Sequence, residues 1–201
     1  MKKFIYLISP NKIDKNFYNS LKKVLSSNKV QYFQLRLKNQ KKKKIIQVSK
    51  KIIKITKFYN VKFVINDIHN LVKIIGADGC HLGQSDGNIL KIRKRLKNKV
   101  IGVTCHNSKR LAKKAKAIGA SYVAFGSFYK SKLKPKAKRA NTKILSWAKR
   151  KLDLPVVAIG GINNKNYMNL IKQGANYIAL SSFIWNNKKL KPWDAIRKFN
   201  Q

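Results

Sequence analysis

Six acidic residues stand against 47 Lys and Arg in this 201-residue chain, and two of the six, Asp67 and Asp86, each follow a short apolar run. If those runs are neighbouring strands, the two carboxylates sit side by side and suit a magnesium ion whose other ligands are water and substrate phosphate. A lone aspartate after a strand is ordinarily a helix N-cap, so it is the pairing that points to a metal. Gln34, Arg36 and Lys38 occupy every second position of another run, which puts them on one side of a strand, with Phe33, Leu35 and Leu37 on the other. A buried polar row of that kind is costly unless an anion meets it. Two further runs end in Gly160-Gly161 and in Ser181-Ser182; glycine lets a backbone N–H approach an anion closely, so these ends suit a phosphate. Thr104 and His106 close one more run, where His106 could serve as an acid/base or equally as a hydrogen-bonded structural histidine. His69 and His81 read as a helix-start residue and a strand residue.

The elements that must position these groups alternate along the whole chain. Runs rich in Val, Ile, Phe and Tyr at residues 4–9, 32–37, 62–66, 79–82, 100–104, 122–125, 156–159 and 177–180 are separated by Lys-rich amphipathic segments. Residues 41–57 are one such segment, with Ile45, Ile46, Ile52, Ile53 and Ile55 at helical spacing. Asp14, Ser108 and Asn163 stand where N-caps would, and Gly119 and Gly174 where helices would stop. An open doubly wound sheet has the same alternation. Eight strand units without a glycine fingerprint after the first favour closure into a single-domain (β/α)8 TIM barrel over residues 1–201, whose chemistry gathers at the carboxyl ends of its strands. Gly76-Ala77-Asp78, Gly119-Ala120-Ser121 and Gly174-Ala175-Asn176 mark three helix-to-strand turns and are assigned no chemistry.

Composition narrows the classes. The formal net charge of +41 raises the question of nucleic acid, which attracts basic surfaces through counterion release. The lysines, however, are spread along the chain, and no zinc-finger spacing, aromatic RNA-binding signature or helix-turn-helix accompanies them. Specific nucleic-acid binding is therefore not expected. Apolar stretches run six or seven residues, far short of the roughly 20 that cross a bilayer, so no membrane partner is expected. The first ten residues read as a first buried strand rather than a signal peptide, and the protein as cytoplasmic. Cys80 and Cys105 read as buried thiols, and Trp147, Trp185 and Trp193 as packing residues.

Together the motifs resemble the thiamine phosphate synthase family over nearly the whole chain. The resemblance rests on Phe33-Gln34-Leu35-Arg36-Leu37-Lys38, Ile65-Asn66-Asp67, the segment from Gly76 to Asp86, Gly102-Val103-Thr104-Cys105-His106, Tyr122-Val123-Ala124-Phe125-Gly126 and Ala158-Ile159-Gly160-Gly161-Ile162. It implies a magnesium-dependent transferase that joins hydroxymethylpyrimidine pyrophosphate to a thiazole phosphate. In that family pyrophosphate is thought to leave first, and the thiazole nitrogen captures the resulting pyrimidine carbocation. The resemblance further implies that Gln34, Arg36, Lys38, Asn66, Thr104 and Lys134 hold the pyrimidine pyrophosphate. Asp67 and Asp86 would hold Mg2+, and Ser131, Gly161, Ser181 and Ser182 the thiazole phosphate. Of these, Arg36, Lys38 and Lys134 would stabilise the leaving group. The expected partners are phosphorylated small molecules, with a homo-oligomer possible.

Two positions depart from the family pattern. Where the family has Pro-Thr-x-Thr-Lys, this chain has Lys130-Ser131-Lys132-Leu133-Lys134, which keeps one hydroxyl and the lysine. Ile68 replaces the usual arginine after Asn66-Asp67. A thiazole tautomerase-like relative of the same fold, leaning on His106, is the alternative enzyme, and a basic RNA-associated protein is the alternative from another class.

Overall fold

The computed structural model describes residues 3–130 and 138–200. Eight parallel strands alternate with helices in the order β1 (Ile5–Ile8), α1 (Phe17–Leu25), β2 (Val30–Leu35), α2 (Lys42–Phe58), β3 (Lys62–Asn66), α3 (Leu71–Ile75), β4 (Gly79–Leu82), α4 (Ile89–Leu96), β5 (Val100–His106), α5 (Lys109–Ala117), β6 (Tyr122–Gly126), α6 (Lys143–Lys151), β7 (Val156–Ile159), α7 (Tyr167–Lys172), β8 (Tyr177–Leu180), α8 (Ser182–Trp185) and α9 (Pro192–Arg197). Each strand pairs with the next, and β8 returns to β1 through Ile178 opposite Ile5, closing the barrel.

The strands are mostly apolar on both faces because both faces are covered, with polar residues such as Gln34, Asn66, His81 and Thr104 toward their carboxyl ends. On β1, Ile5 and Leu7 pack outward under the helices, whereas Tyr6 and Ile8 join Tyr32, Val64, Tyr122, Ala124, Val157 and Ala179 inside the barrel. Tyrosines dominate that interior: the Tyr6, Tyr32 and Tyr122 rings lie 5.4–5.6 Å apart. Gly102 makes room for one of them, since a Cβ there would fall 1.9 Å from Cζ of Tyr122. The helices bury one stripe each. On α2, Ile45, Val48, Ile52 and Ile55 are buried, Ile46 and Ile53 partly so, and the lysines stay outside.

The three Gly-Ala turns have a shared structural job. Gly76, Gly119 and Gly174 take left-handed backbone at φ +70°, +78° and +114°, which ends the preceding helix. The alanine N–H then returns to a helix carbonyl, with Ala77, Ala120 and Ala175 each at 3.0 Å. The third side chain ties down the start of the preceding strand: Asp78 accepts from the Phe63 N–H at 2.7 Å, Ser121 from Ile101 at 3.1 Å and Asn176 from Val156 at 2.8 Å. Ser108 caps α5 by accepting from the Leu111 N–H at 3.2 Å. Asp14 and Asn163 cap the turns before α1 and α7.

Strand β1 is one residue shorter at each end than expected and β6 runs one residue further, to Gly126, while β2 and β5 differ more. The second strand begins at Val30 and ends at Leu35, so Arg36 and Lys38 lie beyond the ladder rather than within it. The fifth runs on to His106 through a register shift against β6. Among the described residues, no helix is long and apolar enough to cross a membrane.

Candidate active site

The polar groups converge at the carboxyl ends of the strands. Gln34, 3% exposed on β2, donates its side-chain amide to the Asn66 side-chain oxygen at the end of β3. Ser9, just after β1, organises the next turn: its N–H donates to the Gln34 carbonyl at 2.9 Å, and its hydroxyl accepts from the Arg36 N–H at 3.0 Å. Arg36 therefore emerges half-buried at the rim, with Lys38 exposed beyond it. The expected inward row of three is thus one buried amide followed by two cations at the mouth. Their charge stays near water, so the burial cost anticipated from a longer strand does not arise.

Asp67 follows β3 in left-handed backbone, φ +63°, and its N–H donates to the His81 carbonyl at 2.9 Å. Asp86, in the loop after β4, accepts from the Gly83 N–H at 2.6 Å, which fixes the loop. Although Asp67 remains exposed, surrounding protein partly desolvates its carboxyl. That desolvation, followed by the hydrogen bond and charge of Asp86, pushes its pKa up to about 6 against the opposing pull of Arg36 and Lys38. Among the described residues, this pair belongs to no cluster of three or more His, Cys, Asp or Glu side chains. Two adjacent carboxylates whose mutual repulsion Arg36 and Lys38 only partly offset fit a hard divalent cation that takes its remaining ligands from water and phosphate.

On β5, Thr104 is half-buried, and the Gln84 side chain donates to its carbonyl at 2.5 Å. Its hydroxyl meets Nε2 of His81 at 2.8 Å, while Nδ1 of the same ring meets the Tyr122 hydroxyl at 3.0 Å. The Tyr122 hydroxyl in turn meets that of Tyr6 at 2.7 Å. This chain from the barrel interior to the mouth was not foreseen in the sequence. The available signal was parity, since His81 pairs with Asn66 and Gly102 and so faces inward with them. His106, on which a tautomerase-like activity would lean, is exposed beyond the β5 irregularity, with φ +52°. His69 meets the Arg95 guanidinium through Nδ1 at 2.5 Å; burial and that cation lower its pKa.

Gly160 and Gly161 follow β7 at φ +106° and +64°. A Cβ on Gly160 would lie 2.0 Å from Oγ of Ser127, and one on Gly161 2.3 Å from the Lys130 carbonyl oxygen. Their missing side chains admit the loop after β6, a use of glycine that anion binding alone did not suggest. Ser181 donates to the Ser9 carbonyl at 3.4 Å, and Ser182 opens α8, so this end of β8 adjoins the end of β1. Ser131 and Lys134 lie outside the described residues. Ile68 packs partly buried against the core. Cys80 and Cys105 are buried free thiols, each with its pKa pushed up to about 12 by burial. Trp147, Trp185 and Trp193 pack partly buried against the core, and Trp185 donates to the Ile8 carbonyl at 2.7 Å.

A model of the family described as thiamine monophosphate synthase (TMP-TENI) matches residues 5–184. A thiamine-phosphate synthase from Pelagibacter ubique (strain HTCC1062) is 56% identical over 198 residues, covering 98% of this chain and 96% of that protein. Another from Erythrobacter litoralis (strain HTCC2594) is 38% identical over 187 residues, covering 90% and 88% respectively. Among solved structures, a thiamine phosphate pyrophosphorylase from Pyrococcus furiosus aligns with a TM-score of 0.86 at 26% identity, covering 98% of this chain and 93% of that one.

Proposed function

This chain belongs to the thiamine monophosphate synthase family, and on that footing we propose that it joins hydroxymethylpyrimidine pyrophosphate to thiazole phosphate, giving thiamine monophosphate and pyrophosphate. The observation that carries the proposal is the convergence of Arg36, Lys38, Asp67 and Asp86, close enough for the other three to shift the titration of Asp67. Two cations and two carboxylates in one place match a pyrophosphate that arrives with a divalent metal.

Arg36 and Lys38 bind the pyrophosphate and favour the charge it gains as its bond to the pyrimidine methylene breaks. The planar fork of Arg36 can take two phosphate oxygens at once, whereas Lys38 acts as a mobile point charge. Asp67 and Asp86 would hold magnesium, which when bound supplies further positive charge to the departing group. Gln34, Asn66 and Thr104 orient the pyrimidine ring. Gly161, Ser181 and Ser182, between the ends of β7 and β1, hold the thiazole phosphate. Ser131 and Lys134, outside the described residues, take their roles from the family resemblance alone, Ser131 toward the thiazole phosphate and Lys134 toward the pyrophosphate. With both substrates held in line, pyrophosphate leaves with the bonding electron pair and the thiazole nitrogen captures the pyrimidine methylene cation, without a protein nucleophile. That economy fits a site rich in charge and hydrogen-bond donors.

Incubating the protein with both phosphorylated substrates and Mg2+, and following thiamine monophosphate and pyrophosphate together, tests the proposal. Stoichiometric appearance of both products is expected. Absence of product beside an active control enzyme would overturn it.

A further inference from the structure

The hydrogen-bonded chain Tyr6, Tyr122, His81 and Thr104 has a polarity that can be worked out from its buried end. Tyr6 is 1% exposed, and among the described residues its hydroxyl meets the Tyr122 hydroxyl. Were Tyr6 only to accept from Tyr122, its own proton would be left without a partner inside the barrel, where a stranded donor costs more than a typical hydrogen bond contributes. Tyr6 therefore donates to Tyr122. The Tyr122 proton is then directed to Nδ1 of His81, which accepts. A neutral imidazole that accepts at Nδ1 carries its proton on Nε2, and this proton is given to the Thr104 hydroxyl oxygen at 2.8 Å. Having accepted there, Thr104 has its own hydroxyl proton to give to something else. Burial keeps both phenols protonated, since it raises the pKa of Tyr6 and Tyr122 alike.

We propose that Tyr122, backed by Tyr6, is a positioning residue: it holds His81 as the Nε2-protonated tautomer and so presents Thr104 to the mouth as a hydrogen-bond donor. The ligand this selects is an aromatic heterocycle with an unprotonated ring nitrogen at that point, which a pyrimidine supplies; the choice of ligand rests on the reaction proposed above. The reverse polarity, with Thr104 donating to His81, would present only lone pairs and would prefer a ligand N–H. Gly102 supports the arrangement, because any larger residue would displace the Tyr122 ring.

Two measurements test this separately. In protein labelled with 15N at histidine, long-range 1H–15N spectra report the tautomer without substrate or turnover, and the signal absent from a His81→Gln variant identifies His81. The expected result is a neutral ring protonated at Nε2, and protonation at Nδ1 would overturn the proposal whatever reaction the protein performs. In the second, Tyr122→Phe is made in the native protein and in a Thr104→Val background. In the native background KM for the pyrimidine pyrophosphate should rise about five- to tenfold, the equivalent of one hydrogen bond, with KM for the thiazole phosphate unchanged. With Thr104→Val already present, Tyr122→Phe should add nothing. Equal losses in both backgrounds, or a loss shared by both substrates, would make Tyr122 a packing residue and contradict the inference.

Discussion

Asp67 and Asp86 follow neighbouring strands, and their carboxyl groups lie within hydrogen-bonding reach of each other. Such a pair destabilises the metal-free protein once both carboxyls are charged, a strain that the proposed magnesium ion would relieve. Asp67→Asn should therefore raise the melting temperature of the metal-free protein at pH 8 while reducing product formation to background. Asparagine tolerates the left-handed backbone at this position better than alanine does, which makes it the cleaner variant. Thermal melts and turnover on the same preparation check both halves; undiminished turnover would remove the metal assignment.

The same pair predicts a pH dependence of definite sign. Asp67 holds its proton more tightly when folded, at about 6, than its ordinary value of 3.8. Its contribution to stability is then fully present below about pH 4 and is lost as the pH rises through about 6. The difference in melting temperature between the native protein and Asp67→Asn should widen across that interval without metal. Added Mg2+ should narrow it most at high pH, where the carboxylate is free to bind. A flat difference from pH 4 to 8 would contradict the assignment.

Arg36→Lys keeps the charge and removes the planar fork. We expect kcat/KM for the pyrimidine pyrophosphate to fall about 10- to 100-fold, as for the loss of a charge-assisted bond, with the melting temperature little changed. Steady-state kinetics with saturating thiazole phosphate measure it. Rates equal to those of the unaltered protein would remove Arg36 from the pyrophosphate site.

Gly161→Ala tests the packing of the β7 turn against the β6 loop. The substitution combines φ +64° with a Cβ 2.3 Å from the Lys130 carbonyl oxygen, so about 1–3 kcal/mol of stability should be lost. Denaturant unfolding reads the loss, and an unchanged midpoint would show that the loop yields freely.

Much of this was legible in the sequence because barrel strands are continuous apolar runs with sharp ends. The boundaries of β3, β4, β7 and β8 follow from the pattern residue for residue. The pattern puts β2 two residues late, since the alternation of Gln34, Leu35, Arg36 and Leu37 continues past the point where hydrogen bonding to β3 stops. Periodicity records side-chain direction and is blind to where a ladder ends. The paired aspartates were visible because acids are so scarce here. His81 reads correctly as a strand residue but not as part of a network, because one polar residue in a four-residue strand carries little pattern and its partners Tyr6 and Tyr122 look like ordinary core residues. Nothing in the local sequence announces that three inward side chains from β1, β4 and β6 will meet, because only closure of the barrel brings them together.

Crystals grown with Mn2+ in place of Mg2+, and with pyrophosphate, address the central claim most directly, because manganese scatters anomalously. The account predicts one anomalous peak bridged by carboxylate oxygens of Asp67 and Asp86, with the pyrophosphate between that peak and the Arg36 guanidinium. A metal and pyrophosphate bound elsewhere on this highly cationic surface, with the two aspartates left uncoordinated, would contradict it.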